Sequence, residues 1–213
     1  LDFVRQQMTL VREDMGADGV KSGMLHSAAM IETVVGTLAE AAPGVPLVAD
    51  PVMVAQSGAS LLEESAVEAL RRLLVPAAAL LTPNAPEAAR LTGLAVESVE
   101  DQKRAAEALL RLGARAVLVK GGHLAGETLT DVLASEAGLE VLTQARVETT
   151  QTHGTGCTLA SAIAAGLAQG LPLARAVARG RAYLRVALAT APGFGRGQGP
   201  VNHGHTVRPF DGG

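Results

Sequence analysis

The chain has 213 residues and a formal net charge of −3, and its residues are 48% hydrophobic but only 2% aromatic. This charge offers no basic surface for nucleic-acid phosphates, and so few rings leave little on which bases could stack, so nucleic acid is excluded as an expected partner. The apolar content comes almost wholly from Ala, Val and Leu, which suit buried parallel strands and closely packed helices.

The single cysteine and the lack of long apolar runs bear on where in the cell the protein is expected. Cys157 has no second cysteine to pair with, which excludes an internal disulfide and is compatible with a reducing compartment. No apolar run reaches about 18 residues, and no basic segment followed by an apolar one opens the chain. We therefore expect a cytoplasmic protein without a membrane partner. Because residues 1–16 resemble a helix already under way and begin with Leu1, we also expect a missing upstream segment.

Short apolar runs alternate along the chain with longer segments of 3.6-residue periodicity, which is typical of βα units around a parallel sheet. The predicted strands are Gly19–Gly23, Pro46–Asp50, Ala78–Leu81, Ala116–Lys120, Asp131–Ala134 and Leu139–Thr143, the last two forming a hairpin. The predicted helices are Ser27–Glu40, Leu62–Leu74, Ala85–Leu91, Val99–Leu112, Thr158–Gln169 and Leu173–Thr190. This order predicts an α/β fold in a single domain over residues 1–213.

The ends of the first four predicted strands are small or polar. They read Lys21-Ser22-Gly23, Asp50-Pro51, Thr82-Pro83-Asn84 and Lys120-Gly121-Gly122-His123. In open parallel sheets ligands bind beyond the carboxyl ends of the strands, so these ends are expected to share one cleft. A single polar strand end is better explained by the polarity of loops, but four together favour a site.

A glycine-rich segment, Thr152-His153-Gly154-Thr155-Gly156-Cys157-Thr158, runs directly into the predicted helix Thr158–Gln169. Glycines let successive backbone N–H groups point the same way, and the helix start adds unpaired donors, so the segment can bind an anion. It is not a Walker A loop, because the lysine and its spacing are absent. The alternative is an ordinary glycine-rich turn with a Thr or Ser cap.

Cys157 falls in the first turn of the predicted helix, where the local field favours a thiolate. The competing interpretation is a small buried hydrophobic side chain, which is the commoner role of a lone free cysteine.

Asn84 and Glu87 form an N-x-x-E pattern at a strand-to-helix junction. A carboxylate there can reach a hydrated Mg²⁺, which asks for only one or two protein oxygens. The alternative is a glutamate that stabilises the start of its own helix. Asp50 at a strand end has the same ambiguity, and Lys120 is open to interpretation as a surface lysine.

Five segments together carry a resemblance to a known family: DPVMVAQSG (Asp50–Gly58), LTPNAPEA (Leu81–Ala88), VLVKGGHLAG (Val117–Gly126), THGTGCTLASAIAAGLAQG (Thr152–Gly170) and GQGPVNH (Gly197–His203). They resemble the hydroxymethylpyrimidine and phosphomethylpyrimidine kinases of thiamin biosynthesis, in the ribokinase superfamily. The resemblance implies a ribokinase-like three-layer fold whose mostly parallel sheet is flanked by helices. It also implies ATP, Mg²⁺ and an aminopyrimidine alcohol as the molecules bound, and a homodimer.

The resemblance implies a role for each matching residue. Gly154, Thr155 and Gly156 would form the anion hole for the transferred phosphoryl group, and Cys157 would stand where the superfamily has its catalytic base. The residues expected to organise Mg²⁺ are Asp50, Asn84 and Glu87. Those expected beside the nucleotide are Lys120, Gly121, Gly122, Thr152 and Asp131.

The sequence departs from the family in two places. The glycine-rich opening segment of the family is not found, so we expect the N-terminal part of the fold to be missing. Ser22 stands where the family usually has an apolar residue, and a buried hydroxyl there costs stability unless it finds a partner. Two alternatives to the pyrimidine kinase remain: a pyridoxal or pyridoxine kinase, and an inactive homologue that binds nucleotide.

Overall fold

The computed structural model describes residues 1–53, 63–124 and 126–207. Residues 54–58 and Ala125 of the quoted segments, and Leu62 of a predicted helix, lie outside the described residues. The chain divides into two compact units, residues 1–145 and residues 146–213. The single domain over residues 1–213 stays a prediction.

The first unit contains a six-stranded sheet in the order β1-β2-β3-β4-β5-β6. The strands are β1 (Val20–Ser22), β2 (Leu47–Ala49), β3 (Leu80–Leu81), β4 (Val117–Val119), β5 (Thr128–Ser135) and β6 (Gly138–Ala145). Neighbours from β1 to β4 are parallel, whereas β5 is antiparallel to both β4 and β6. This arrangement confirms the predicted α/β class, the parallel strands and the terminal hairpin.

The hairpin is longer than predicted. β5 and β6 pair continuously from Thr128 opposite Ala145 to Ser135 opposite Gly138. The prediction was too short because β6 is exposed along most of its length and carries little apolar signal. Backbone pairing, and not side-chain burial, therefore sets the ends of this strand.

The first unit contains several helices, some of which begin after a residue whose side chain caps them. The helices are α1 (Asp2–Asp14), α2 (Ala28–Ala41), α3 (Glu64–Ala69), α4 (Val75–Ala77), α5 (Ala85–Thr92) and α6 (Val99–Arg111), with a π-helical turn at Leu70–Leu74 between α3 and α4. Ser27 accepts a hydrogen bond from the N–H of Met30, and Ser98 accepts one from the N–H of Asp101. Each cap satisfies a donor that the helix itself leaves unpaired, which explains the observed starts of α2 and α6.

The core of the first unit lies between the sheet and its helices. Its fully buried members include Ile31 in α2, Leu91 in α5, Leu109 in α6 and Val117 in β4. Several alanines pack among them, so helices approach the sheet closely. The polar residues that follow the strands lie beyond the ends of this core's strands.

The second unit contains α7 (Thr155–Ala168), α8 (Leu173–Ala189) and a 3₁₀ turn at His203–Thr206. A Cβ atom on Gly180 of α8 would lie 2.7 Å from Cγ1 of Ile163 in α7, and one on Gly166 of α7 would lie 3.0 Å from Cβ of Ala176 in α8. The glycines therefore allow the two helices to pack closely. In the parts of the chain that the structure describes, no helix is long and apolar enough to cross a membrane.

The predicted start of α7 at Thr158 is wrong by three residues. The helix begins at Thr155, after Gly154 as its N-cap residue with φ of 83° and no side-chain hydrogen bond. The prediction placed the start where the run of small residues begins, whereas here a glycine in the left-handed region ends the loop.

Candidate functional site

A buried ion pair joins two strand ends of the first unit. Asp50 follows β2 directly and Lys120 follows β4, and the lysine Nζ lies 2.8 Å from Asp50 Oδ1. Side-chain exposure is 2% for the aspartate and 13% for the lysine. Thr82, directly after β3, has its hydroxyl oxygen 3.4 Å from the same Oδ1. The structure therefore brings together the polar ends of β2, β3 and β4.

The end of β1 lies beside this group. The N–H of Asp50 donates to the carbonyl of Ser22 at 3.0 Å, so the last residue of β1 borders the aspartate. The Ser22 hydroxyl is buried and has no hydrogen-bond partner among the residues that the structure describes. The expected cost of this hydroxyl is thus not offset within the described part of the chain.

Asn84 and Glu87 form a capping box at the start of α5. The side-chain oxygen of Asn84 accepts from the N–H of Glu87 at 2.9 Å, and Glu87 Oε2 accepts from the N–H of Asn84 at 2.8 Å. This is the arrangement expected of a glutamate that stabilises its own helix. A carboxylate is charged whereas the Asn84 amide is neutral, so Asp50 and Glu87 are better suited than Asn84 to interact with a cation.

Several effects act on the pKa of the Glu87 carboxyl, and some raise it while others lower it. Burial raises the pKa of the Glu87 carboxyl above its ordinary value of 4.5, and the charge of Asp50 adds to that rise. The Lys120 ammonium and the N–H groups of Asn84 and Met53 lower it, but burial is the largest effect. Glu87, Asp50 and Lys120 therefore form one electrostatically coupled group.

We expect Glu87→Gln to remove a pH dependence of stability. Since the folded-state pKa is raised, the folded protein binds more protons than the unfolded chain between pH 4.5 and that higher pKa. The free energy of unfolding should therefore fall as pH rises through this window, and a neutral amide should flatten the curve. Urea unfolding at intervals from pH 4.5 to pH 7 measures this. Equal slopes in both proteins would contradict the assignment.

The donor chemistry of this group fits Mg²⁺. Asp50 and Glu87 supply carboxylate oxygens, which a hard cation prefers, and Mg²⁺ keeps most of its waters. Among the described residues, no group of three or more His, Cys, Asp or Glu side chains is arranged to hold a metal. Any Mg²⁺ here would thus be held mainly through its waters and a bound phosphate.

The turn after β4 is held by Asp131. The N–H of Gly121 donates to Oδ1 of Asp131 at 2.9 Å, and this aspartate is only 3% exposed. Asp131 was expected beside the nucleotide, and the structure shows its carboxylate bonded to the backbone of the turn that carries Lys120. Gly122 follows in the same turn.

Gln102 also supports this turn and was missed by the sequence analysis. Its Nε2 donates to the carbonyl of Val119 at 3.2 Å and to that of Thr130 at 3.1 Å, so one buried amide links β4 to β5. The signal was present, because Gln102 is a polar residue on the buried face that Ala105, Ala106 and Leu109 define in α6. A lone polar residue on such a face indicates a buried hydrogen-bond partner.

We expect Gly121→Ala to destabilise the first unit strongly. A Cβ atom at Gly121 would lie 1.8 Å from the carbonyl oxygen of Thr130, which is backbone and cannot move aside cheaply. The free energy of unfolding should fall by about 3 kcal/mol or more. Gly122→Ala is the matched control, since its Cβ would meet nothing closer than Leu129 Cδ1 at 3.9 Å. Chemical denaturation of both variants checks this, and equal stabilities would contradict it.

The glycine-rich loop of the second unit presents free donors at the start of α7. Gly154 caps the helix in the left-handed region, and Thr155, Gly156 and Cys157 form its first turn. The N–H of Thr155 reaches the carbonyl of Thr152 at 3.5 Å, whereas the N–H groups of Gly156 and Cys157 have no hydrogen-bond partner within the described residues. Such donors at a helix N-terminus can bind an anion.

Cys157 is exposed at this turn. The interpretation of Cys157 as a small buried hydrophobic side chain is therefore wrong, and so is that of a Thr or Ser cap, because Gly154 takes that position. The thiol is therefore accessible to solvent, next to N–H groups that have no partner in the part of the chain that the structure describes. The roles assigned to Cys157 and Thr152 in binding and catalysis stay predictions.

Comparison with known proteins shows which family this chain resembles. Residues 1–202 match the family described as phosphomethylpyrimidine kinase. The thiamine biosynthesis bifunctional protein ThiED of Geobacter sulfurreducens is 47% identical over 94% of this chain, which spans 41% of the length of that protein. A hydroxymethylpyrimidine/phosphomethylpyrimidine kinase of Rhizobium meliloti is 46% identical, with 96% of this chain and 77% of the relative covered.

Solved structures show the same fold. A phosphomethylpyrimidine kinase from Clostridium difficile has a TM-score of 0.75 and 38% identity, covering 86% of this chain and 74% of that structure. A pyridoxal kinase from Staphylococcus aureus in complex with AMP-PCP and pyridoxal has a TM-score of 0.88 and 31% identity, covering 97% and 74%. The family match, the identities and the fold agree. The chain belongs to the phosphomethylpyrimidine kinase family.

Proposed function

We propose that the protein phosphorylates 4-amino-5-hydroxymethyl-2-methylpyrimidine and then its monophosphate, with ATP as phosphoryl donor. The observation that carries this proposal is the first turn of α7, where the N–H groups of Gly156 and Cys157 are open toward an anion. Kinase catalysis consists mainly of positioning the phosphoryl group and stabilising its charge. Open backbone donors beside an exposed thiol suit that task.

In this proposal the first unit handles the nucleotide phosphates. Lys120, with Gly121 and Gly122, binds phosphate oxygens, while Asp50 holds the lysine ammonium in place through its 2.8 Å contact. When bound, Mg²⁺ neutralises charge on the phosphates, and Asp50 and Glu87 are the carboxylates that would orient its waters. Asp131 acts through the backbone of Gly121, which it holds.

The chemical step forms one bond and breaks one. In the first reaction the substrate hydroxyl oxygen attacks the terminal phosphorus of ATP, the bond from that phosphorus to the ADP oxygen breaks, and the hydroxyl proton is given up. In the second reaction an oxygen of the monophosphate takes the place of the hydroxyl oxygen. Two roles for Cys157 fit an exposed thiol: the thiolate accepts that proton, or the thiol helps to hold the phosphoryl group. Gly154, Thr155 and Gly156 would stabilise the phosphoryl oxygens in either case.

A pyridoxal or pyridoxine kinase is the second candidate. It is favoured by the TM-score of 0.88 to a pyridoxal kinase in complex with pyridoxal, which exceeds the 0.75 to the phosphomethylpyrimidine kinase structure. The sequence identities favour the pyrimidine, with 38% against 31%. An inactive homologue that binds nucleotide is the third candidate. The cytoplasmic location and the homodimer stay predictions.

Coupled ADP release by the full-length gene product separates these candidates. Three acceptors are compared at equal concentration, namely the pyrimidine alcohol, its monophosphate and pyridoxal, with ATP and Mg²⁺ throughout and one reaction without acceptor. We expect turnover with the first two that clearly exceeds the rate with pyridoxal. Faster release with pyridoxal would favour the second candidate. No release above the acceptor-free rate, with nucleotide binding retained, would favour the third.

A further inference from the structure

The hydroxyl of Thr158 lies between two groups in the first turns of α7. Its Oγ1 is 2.8 Å from the carbonyl oxygen of Gly154 and 2.9 Å from Nε2 of His203. A hydroxyl has a single hydrogen, and the carbonyl can only accept, so the hydroxyl donates to Gly154. Nε2 of His203 must then carry a hydrogen and donate to Thr158. Both the neutral Nε2–H tautomer and the imidazolium can do so.

Backbone contacts hold His203 in this position. Its carbonyl oxygen accepts from the Tyr183 hydroxyl at 3.2 Å, and the N–H of the preceding Asn202 donates to the carbonyl of Ala187 at 2.9 Å. Asn202 directly precedes the 3₁₀ turn His203–Thr206, and its side-chain oxygen accepts from the N–H of Gly204. The imidazole is thus presented to Thr158 from a fixed backbone, although the residue itself is exposed.

The same segment contacts the loop on its other side. The N–H of His153 donates to the carbonyl of Gly199 at 3.1 Å, and His153 forms an isolated β-bridge with Pro200. A Cβ atom on Gly199 would lie 1.8 Å from the side-chain oxygen of Gln151. Residues 199–203 therefore hold the loop both before and after Gly154.

The contact from His203 reaches the carbonyl of Gly154 through Thr158. That carbonyl accepts both the N–H and the hydroxyl of Thr158, each at 2.8 Å. This carbonyl shares a peptide plane with the N–H of Thr155, so its direction sets how α7 begins. Since glycine can adopt φ of 83° and other values at little cost, the contacts made by this carbonyl and by Thr158 help to select one orientation of that plane.

We propose that His203 is a positioning residue for phosphoryl transfer. By donating to Thr158 it fixes the Gly154 carbonyl, and through it the direction of the open N–H groups of Gly156 and Cys157. This inference rests on the proposed function of the loop as the anion site. His203 itself touches neither the phosphoryl group nor the substrate in this scheme.

Three substitutions of His203 separate positioning from general structure. His203→Gln keeps an N–H donor at the reach of Nε2, His203→Asn carries its amide one bond shorter, and His203→Ala has no donor. We expect kcat for ADP release to fall about 10-fold in the Asn and Ala variants and to stay within about 3-fold of the parent in the Gln variant. KM for ATP should change little, because the interaction matters most in the transition state.

A second readout needs no substrate. Inorganic phosphate is titrated into the ¹⁵N-labelled full chain, and the amide signals of Gly156 and Cys157 are followed by NMR. We expect both signals to shift in the parent and in His203→Gln, with an apparent Kd about 5-fold weaker in His203→Asn. Since His203 is exposed, the melting temperature should be the same in all variants.

The outcomes distinguish a failure of the positioning role of His203 from a failure of the proposed function of the loop. If phosphate shifts neither amide signal in the parent, the anion site and the positioning role both fail. If phosphate binds the parent, but His203→Asn shows the parental kcat and Kd, the positioning role fails and the proposed function stands. A lowered melting temperature in His203→Asn with unchanged kcat would also overturn the inference, because it would indicate a purely structural role.

Discussion

Replacing Cys157 with alanine is expected to lower kcat for phosphoryl transfer by about 100-fold or more. The thiol is exposed in the first turn of α7, next to N–H groups that have no partner within the described residues. Loss of either a base or a phosphoryl-binding group at that point removes stabilisation of the transition state. KM for ATP should change much less than kcat. The measurement is steady-state ADP release with saturating acceptor.

Cys157→Ser distinguishes the two roles. A serine hydroxyl ionises far less readily than a thiol but still donates a hydrogen bond. If the thiolate is the base, the serine variant should be as slow as the alanine variant; if the thiol holds the phosphoryl group, serine should retain much of the rate. Ser161→Ala, at an exposed position on the same helix, is the control and should be unaffected. Parental rates in both Cys157 variants would remove Cys157 from the site.

Breaking the Asp50–Lys120 pair is expected to have the second large effect, on stability and activity together. Lys120→Met leaves an aspartate that is 2% exposed without its cation, which should lower the free energy of unfolding by about 3 kcal/mol. In the double variant Asp50→Asn/Lys120→Met neither charge of the pair remains, so most of that stability should return. Activity should not return, because the phosphate-binding ammonium is still missing. Urea unfolding and ADP release measure the two properties on the same samples.

A complete double-mutant cycle gives the control. Asp50→Asn alone leaves the Lys120 ammonium without its charge partner while retaining an oxygen that can accept from it, so its loss should be smaller. Stability losses that simply add in the double variant would show that the pair is not coupled. Activity that recovers with stability would show that Lys120 serves the fold alone.

The strand ends were predictable from the sequence because the residues change there from apolar to polar within one position. The runs before Asp50 and Lys120 are wholly apolar, and both residues follow the last strand position directly. In a parallel sheet such ends meet at one edge, so the topology places both residues at that edge, on either side of β3. The terminal hairpin was predicted as well, but not its length, since β6 is exposed along most of its length and its ends carry little apolar signal.

Other features depend on backbone geometry that residue types alone do not reveal. The start of α7 was misplaced because Gly154 caps it through a left-handed backbone and not through a side chain. The capping box of Asn84 and Glu87 was weighed as an alternative, and only the structure shows that both of its hydrogen bonds form. The link from His203 to Thr158 joins residues 45 positions apart, and no local pattern predicts it.

The most direct test of the kinase assignment is mass spectrometry of the reaction products. The full-length gene product is incubated with ATP, Mg²⁺ and the pyrimidine alcohol, and in parallel with pyridoxal. We expect the pyrimidine to gain one phosphoryl group and then a second, with the monophosphate appearing first and being consumed. An unmodified pyrimidine alongside phosphorylated pyridoxal, or no phosphorylated product from either acceptor, would contradict the assignment.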